Sequence, residues 1–386
     1  MPVIDPTFML MKKIFLMIFL CCPLMILAQQ QVFLVQVKIE HLENPSTARA
    51  YLRYSSNGKP ALDSAKMSAG QFEFNGHVSE PCRAELSIAH SGTSSKTDEP
   101  DVLSLYLEKG HILVRAKDSL KHAEVQGPTL NSQHALYKKI VFDTERELQS
   151  VRSQWSKINV KDSTTRPLND QLAARYKAGL ITRKQFQIAF IKEHPDYEFS
   201  ALLLSEVTGP LIDLEKTEPL YNGLGKAVRQ SASGLTIGRA IALAKATSVG
   251  SMAPDFSQVD MNGRLITLTD LRGKYVFIDF WASWCSPCRA ENPFVSKAHH
   301  DFKGKDFIVI GISLDKDKKA WQKAIEEDGL AYTQILDPRI PGNELARKYG
   351  ISAIPQNFLI DPSGKIIGRN IHGADLHTKL QQIFDL

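Results

Sequence analysis

The chain has 386 residues, 43% of them hydrophobic and 23% charged, with a formal net charge of +5 and five cysteines. That length suits two or three domains and that balance suits folded ones, which excludes wholesale disorder and a polytopic membrane protein. Five cysteines are too few to staple a scaffold of this size, and an odd number leaves at least one without an intramolecular partner.

The first predicted element is a leader. Lys12 and Lys13 follow Met11, an apolar run follows them, and small Ala28 precedes three glutamines. A charged start, a short apolar stretch and a small-residue end predict a secretory signal peptide over residues 1–28, with the true start at Met11. The apolar run of 14–28 falls short of the ~20 residues a spanning helix needs, and Pro23 interrupts it. Two other readings stay open. One is lipid attachment at Cys21 or Cys22, against which the bulky Phe19 and Leu20 speak; the other is an uncleaved anchor that associates the N-terminus with a membrane. The expected location is exported, in the periplasm or cell envelope, where disulfides form. Cleavage would leave Cys82, Cys285 and Cys288.

Residues 29–128 predict an all-β domain, antiparallel and sandwich-like. Strand-like runs at 32–39, 50–54, 70–74, 83–88, 102–107 and 111–115 are separated at short intervals by Gly, Asn, Ser and Pro. The polar stretch 91–100 reads as a loop. Residues 129–248 predict an α-helical connector, because Ala135, Leu136, Ile140, Val141 and Leu148 recur at helical spacing. The whole charge excess falls here, mixed with acids and without interleaved aromatics, as on a solvated helix face; no nucleic-acid partner is expected. Residues 249–386 alternate strands and helices, the mark of an α/β domain. Its apolar strands lie at 275–280 and 307–312, and a hairpin turns around Pro362 and Ser363.

The chemistry concentrates at Cys285-Ser286-Pro287-Cys288, which follows the strand and opens helical sequence. A cysteine at a helix N-terminus meets unpaired N–H groups and the positive end of the dipole, which favour its thiolate. The second cysteine, one turn on, is near enough to close a small disulfide ring, and Pro287 has no N–H to lose in the first turn. Such a pair supports exchange: Cys285 attacks a substrate disulfide and Cys288 resolves the mixed disulfide. A zinc site would need two further ligands; there is no second Cys-x-x-Cys, and no metal is expected. Cys82 reads as a buried free thiol.

The segment from Phe280 through Trp281, Trp284, Cys285, Cys288, Arg289 and Glu291 to Pro293 resembles the thioredoxin fold, and more narrowly the exported TlpA/ResA/DsbE-like thiol–disulfide oxidoreductases. Ala253-Pro254-Asp255-Phe256 resembles the usual opening of that domain. Ile354-Pro355 and the residues around it resemble the loop that carries the family's cis-proline before a strand. The stretch 66–74 and the run beginning at Tyr106 are similar to an uncharacterised β-domain that one bacterial group fuses ahead of such modules. The resemblance implies a thioredoxin-like domain over 249–386, with Cys285 as nucleophile, Cys288 as resolving thiol and the two as a redox-active disulfide. It implies that Pro355 faces the pair and that the Ile354 backbone, with Trp284, Ser286 and Pro287, meets the substrate. It implies a buried acid at Asp279 that exchanges protons with Cys288, and a second acid for proton transfer at Glu291.

The expected partners are protein disulfides or dithiols and an upstream, membrane-embedded thiol reductant, with no cofactor beyond the cysteine pair. Reductase is the favoured direction on the resemblance alone. Two readings compete with it. A thiol peroxidase of the peroxiredoxin type would want Pro-x-x-x-Thr-x-x-Cys, and Ile278 and Ala282 stand at those positions. A binding or assembly module would make the β-domain primary and the redox domain accessory.

Overall fold

The computed structural model describes residues 31–42, 45–56, 59–89, 101–158, 163–337 and 344–385. The predicted leader, with Cys21 and Cys22, lies outside them, as does the whole of the loop expected at 91–100. Among the described residues no helix is long and apolar enough to cross a membrane.

Alternation of apolar and polar residues builds the first region into two four-stranded sheets. One holds β1 (Gln31–Ile39), β4 (Phe72–Val78), β7 (Gly110–Ala116) and β8 (Glu124–Gln126) in the order β4-β1-β7-β8. The other holds β2 (Arg49–Ser56), β3 (Lys59–Lys66), β5 (Cys82–Ala89) and β6 (Asp101–Leu107) in the order β3-β2-β5-β6. The residues both sheets turn inward form one apolar core, including Phe33, Leu52, Phe72, Leu86 and Leu105. All pairings are antiparallel except β1 with β7, which run parallel. Gly76 lies opposite Phe33, whose ring fills the space a side chain would take; a Cβ there would meet the ring at 2.7 Å.

Helix α1 (Thr129–Trp155) leaves this region. Its start is tied back to the sheet. Glu108 accepts from the N–H groups of Leu130 (2.9 Å) and Asn131 (3.2 Å), satisfying donors that a helix start leaves unpaired. The Asn131 amide pairs with both backbone groups of Tyr106, at 3.0 and 2.8 Å. The chain accordingly divides within α1, into units Met1–Lys139 and Ile140–Leu386. The second unit holds the helical segment and the α/β region together.

The helical segment comprises α2 (Arg166–Glu193), α3 (Glu198–Thr208), α4 (Leu214–Gly223), α5 (Lys226–Gln230) and α6 (Ala232–Ala246). Asp213 and Ser231 cap α4 and α6 through their side-chain oxygens. After it come the short hairpin β9 (Ser257–Val259) and β10 (Leu265–Thr267), then a thioredoxin-like sheet. That sheet has the order β13-β12-β11-β14-β15: β11 (Tyr275–Trp281), β12 (Phe307–Ser313) and β13 (Thr333–Leu336) run parallel, and β14 (Gln356–Ile360) and β15 (Ile366–Arg369) antiparallel. Helices α7 (Ser286–Asp301), α8 (Lys318–Glu327), α9 (Glu344–Lys348) and α10 (Ala374–Ile383) cover it. The near-continuous apolar runs of β11, β12 and β14 follow from burial on both faces.

Candidate active site

The period of two along β11 decides the site's composition. Val276, Ile278 and Phe280 point into one core, while Phe277 and Trp281 point into the other, toward α7 and α10. Asp279 shares that second face, and it is buried, 3% exposed. The strand ends at Trp281 and the chain turns through Ala282, Ser283 and Trp284 into α7, with Cys285 as N-cap.

Cys285 and Cys288 form a disulfide, with their Cα atoms 5.2 Å apart. Cys288 is closed off at 1% exposure and Cys285 nearly so at 5%. The Cys288 N–H donates to Cys285 Sγ at 3.2 Å, so a helix-start donor already points at the sulfur that would carry thiolate charge. Ser286 and Pro287 are exposed in the first turn.

The turn that presents Cys285 is fixed from β12. Asp315, itself buried, accepts from the Ser283 N–H (2.9 Å) and hydroxyl (2.6 Å) and from the Ser313 hydroxyl (2.7 Å). The Leu314 N–H also donates to the Trp281 carbonyl at 2.9 Å. A buried carboxylate with three donors is well satisfied, and it holds the turn against the end of the neighbouring strand. One turn into α7, Arg289 and Asn292 both reach Asp328 after α8, at 2.6 Å each.

Burial, and secondarily the Glu291 carboxylate, push the Asp279 carboxyl up to about 7, where it gains and loses a proton at neutral pH. Glu291 accepts from the Gly373 N–H at 2.7 Å and faces His372 at 3.9 Å, so it ties α7 to the turn before α10. Trp284 is 61% exposed beside Cys285, whereas Trp281 is fully buried and donates from Nε1 to Gln334 Oε1 at 3.1 Å. The Ile354–Pro355 peptide is cis, and both residues are half-buried ahead of β14. The helical segment touches this loop and the end of β15: Ser352 Oγ donates to the Pro210 carbonyl, and Arg369 to the Ala244 carbonyl at 3.4 Å.

The structure thus gathers Asp279, Cys285, Cys288 and Glu291 along β11 and α7, with Trp284, Ser286 and Pro287 exposed at their mouth. Sequence reasoning missed Asp315, Ser283 and Gln334. Asp315 and Gln334 did carry a signal, each a polar residue in or just after an otherwise apolar strand. Cys82 is half-buried and free, and burial pushes its thiol up. Among the described residues no group of three or more His, Cys, Asp or Glu is placed to hold a metal ion.

A family model described as the AhpC/TSA family matches residues 249–369, and a domain of unknown function, DUF4369, matches 33–133. The thiol-disulfide oxidoreductase ResA of Bacillus subtilis is 34% identical over 137 residues, 35% of this chain and 75% of that protein. ResA of Geobacillus thermodenitrificans is 35% identical over 121 residues, 31% of this chain and 68% of that protein. Among solved structures, the thioredoxin domain of a thiol-disulfide oxidoreductase from Bacteroides vulgatus is 37% identical, covering 35% of this chain and 97% of that one, with a TM-score of 0.34.

Proposed function

The chain belongs to the ResA-like thiol–disulfide oxidoreductases, and from that premise we propose an exported enzyme that reduces protein disulfides through Cys285 and Cys288. The observation that carries this reading is the pair itself, linked at a helix N-terminus with a buried acid of near-neutral pKa on the strand below.

In the reduced enzyme, Cys285 thiolate attacks one sulfur of a substrate disulfide. A new S–S bond forms to Cys285, the substrate's own bond breaks, and its second sulfur leaves as a thiolate that takes a proton from water. Cys288 then gives its proton to the Asp279 carboxylate and attacks Cys285 Sγ. The enzyme disulfide forms, the bond from Cys285 to the substrate breaks, the substrate sulfur first attacked leaves as a thiolate that takes a proton from water, and two electrons have passed to the substrate. An upstream dithiol, membrane-embedded in this proposal, reverses the sequence on the enzyme. Trp284, Ser286 and Pro287 offer the exposed surface around the pair, and the Ile354 backbone beside Pro355 offers hydrogen bonds to an extended substrate strand. Glu291 keeps the charge next to Asp279 negative and so holds the Asp279 proton more firmly.

Trapping tests the proposal. With Cys288→Ser, Cys285 should accumulate in mixed disulfides with envelope proteins, and absence of any Cys285-linked partner would sink it. Direction is read from the reduction potential. Thioredoxin and strong oxidants differ by roughly 150 mV, and a value at the oxidising end would reverse the assignment. Turnover of a hydroperoxide would instead favour a peroxidase.

A further inference from the structure

The helical segment and the redox sheet, both in the second unit, meet around a cavity of about 340 Å³. Protein interiors leave few voids larger than a water molecule, and small-molecule pockets begin near ~300 Å³, so this space is of ligand size. Small residues open it. Ala240 and Ala244 stand four apart on one face of α6 and both line the cavity. Gly350, after α9, faces that helix: a Cβ on it would lie 3.3 Å from the Cβ of Leu243. Ile212 and Ile351 add apolar wall, and Ile351 belongs to the loop that carries the cis peptide. None of the residues assigned to disulfide exchange lines the cavity, so the site stands or falls apart from that reading.

The charge around this apolar space is one-sided. No Asp or Glu lines it, whereas Arg347 and Arg369 both do. Arg347 is exposed, and the acid one turn before it, Glu344, pairs instead with Lys348 at 3.5 Å. Arg369 is half-buried, and its guanidinium lies over the Phe358 ring, 5.2 Å from the centroid. Its donation to the Ala244 carbonyl places one end of the fork at the cavity wall. Burial alone pushes that guanidinium down from its ordinary value, with no carboxylate acting on it. The carbonyls ending α6 supply only about half a negative charge, which leaves most of the two positive charges uncompensated. A half-buried cation without a counter-ion costs free energy, and an anion in the cavity would offset that cost.

We propose that this cavity binds a free medium-chain monocarboxylate, with its carboxylate on Arg369 and Arg347 and its chain against Ala240, Ile212 and Ile351. Size sets the chain length. At ~30 Å³ for each water-sized group, 340 Å³ holds about ten such groups, which suits a carboxylate on a chain of about eight carbons. Geometry and charge set the head. The guanidinium fork matches a carboxylate's two oxygens, and a dianion such as phosphate would bring a second charge against apolar walls.

Calorimetric titration of the full chain with octanoate tests this. Octanoate should bind saturably at one site and raise the thermal midpoint, as a ligand of the folded state does. Octanol has the chain without the charge and acetate the charge without the chain; each should bind the parent at least about tenfold more weakly. Those comparisons depend on no variant. Arg369→Met, which keeps length and removes charge, should weaken octanoate at least about tenfold. Ala240→Phe, which fills the cavity and leaves both arginines, should do the same. The midpoint rise should vanish in both. Absence of saturable octanoate binding overturns the proposal. So does octanol binding as tightly as octanoate, or an octanoate affinity that either variant leaves unchanged.

Discussion

The β-sandwich and the redox sheet use one rule to opposite ends. Among the described residues the sandwich turns mostly apolar side chains inward, from Phe33 and Val35 on β1 to Leu105 on β6, with Asp101 at the start of β6 an exception. The redox sheet is mostly apolar on one face, where Ile278, Phe280, Ile310 and Phe358 stand beside a single buried Gln356, and carries Asp279, Gln334 and Asn357 in one row on the other. Even the glycines differ. Gly76 makes room for the Phe33 ring and Gly311 for the Gln334 amide. Buried polar groups cost free energy unless satisfied. The redox sheet accepts three of them in one row beside the cysteine pair, whereas among the described strands of the sandwich Asp101 stands at the end of one strand.

Substitutions break this comparison in descending order. Cys285→Ser or Cys288→Ser should reduce turnover to the level of uncatalysed thiol exchange in an insulin-reduction assay, whereas full turnover in either would end the two-cysteine mechanism. Asp279→Asn should slow resolution by roughly 10²-fold at pH 7, read from decay of the mixed disulfide.

The same substitution should stabilise the fold, with a definite pH dependence. Burial first, and Glu291 second, raise the folded carboxyl to about 7, above the ordinary ~3.9 of an unfolded chain. The folded state therefore binds the extra proton between those values. Its stability is fully present below about pH 4 and is lost as pH rises through 7, by up to roughly 4 kcal/mol. Urea midpoints of parent and variant should approach each other near pH 4 and separate toward pH 8, the variant higher. A constant gap would mean that the Asp279 carboxyl titrates alike in the folded and unfolded chain.

The glycine pair gives a smaller contrast. Gly76→Ala and Gly311→Ala should each cost about 1–3 kcal/mol by overpacking, but only the second should slow exchange, because it pushes Gln334 off Trp281. Equal activity in both would remove Gln334 from the site. Cys82→Ala should be smallest, about 1 kcal/mol or less in stability with exchange intact.

Local patterns made Cys285, Cys288 and the strand-to-helix turn legible, because contiguous residues build them, while Asp279 came from the family resemblance. The six main strands of the sandwich were legible through alternation and turn residues. β3 escaped because its burial is shallow all along and its side chains are small or polar. The parallel pairing of β1 with β7 lies in no local pattern, since it depends on which edges are free after the hairpins close. Asp315 and Gln334 reach the site from β12 and β13, well along the chain from Cys285, and only the sheet order brings them there. The helical segment read as a connector because its periodicity is its own. That it braces the loop of Ile354 and Pro355 and the end of β15 depends on Pro210 and Ala244, whose carbonyls look like any others in sequence.

The two tryptophans flanking the turn have an optical consequence. Trp284, in water and bonded in sequence to Cys285, sits beside a disulfide, a group that accepts an electron from an excited indole; Trp281, three residues away, is dry and hydrogen-bonded. Reduction of the disulfide removes the quencher next to the wet indole and leaves the dry one in place. The oxidised and reduced forms therefore differ in brightness and colour, and the molecule reports its own electron count without a label.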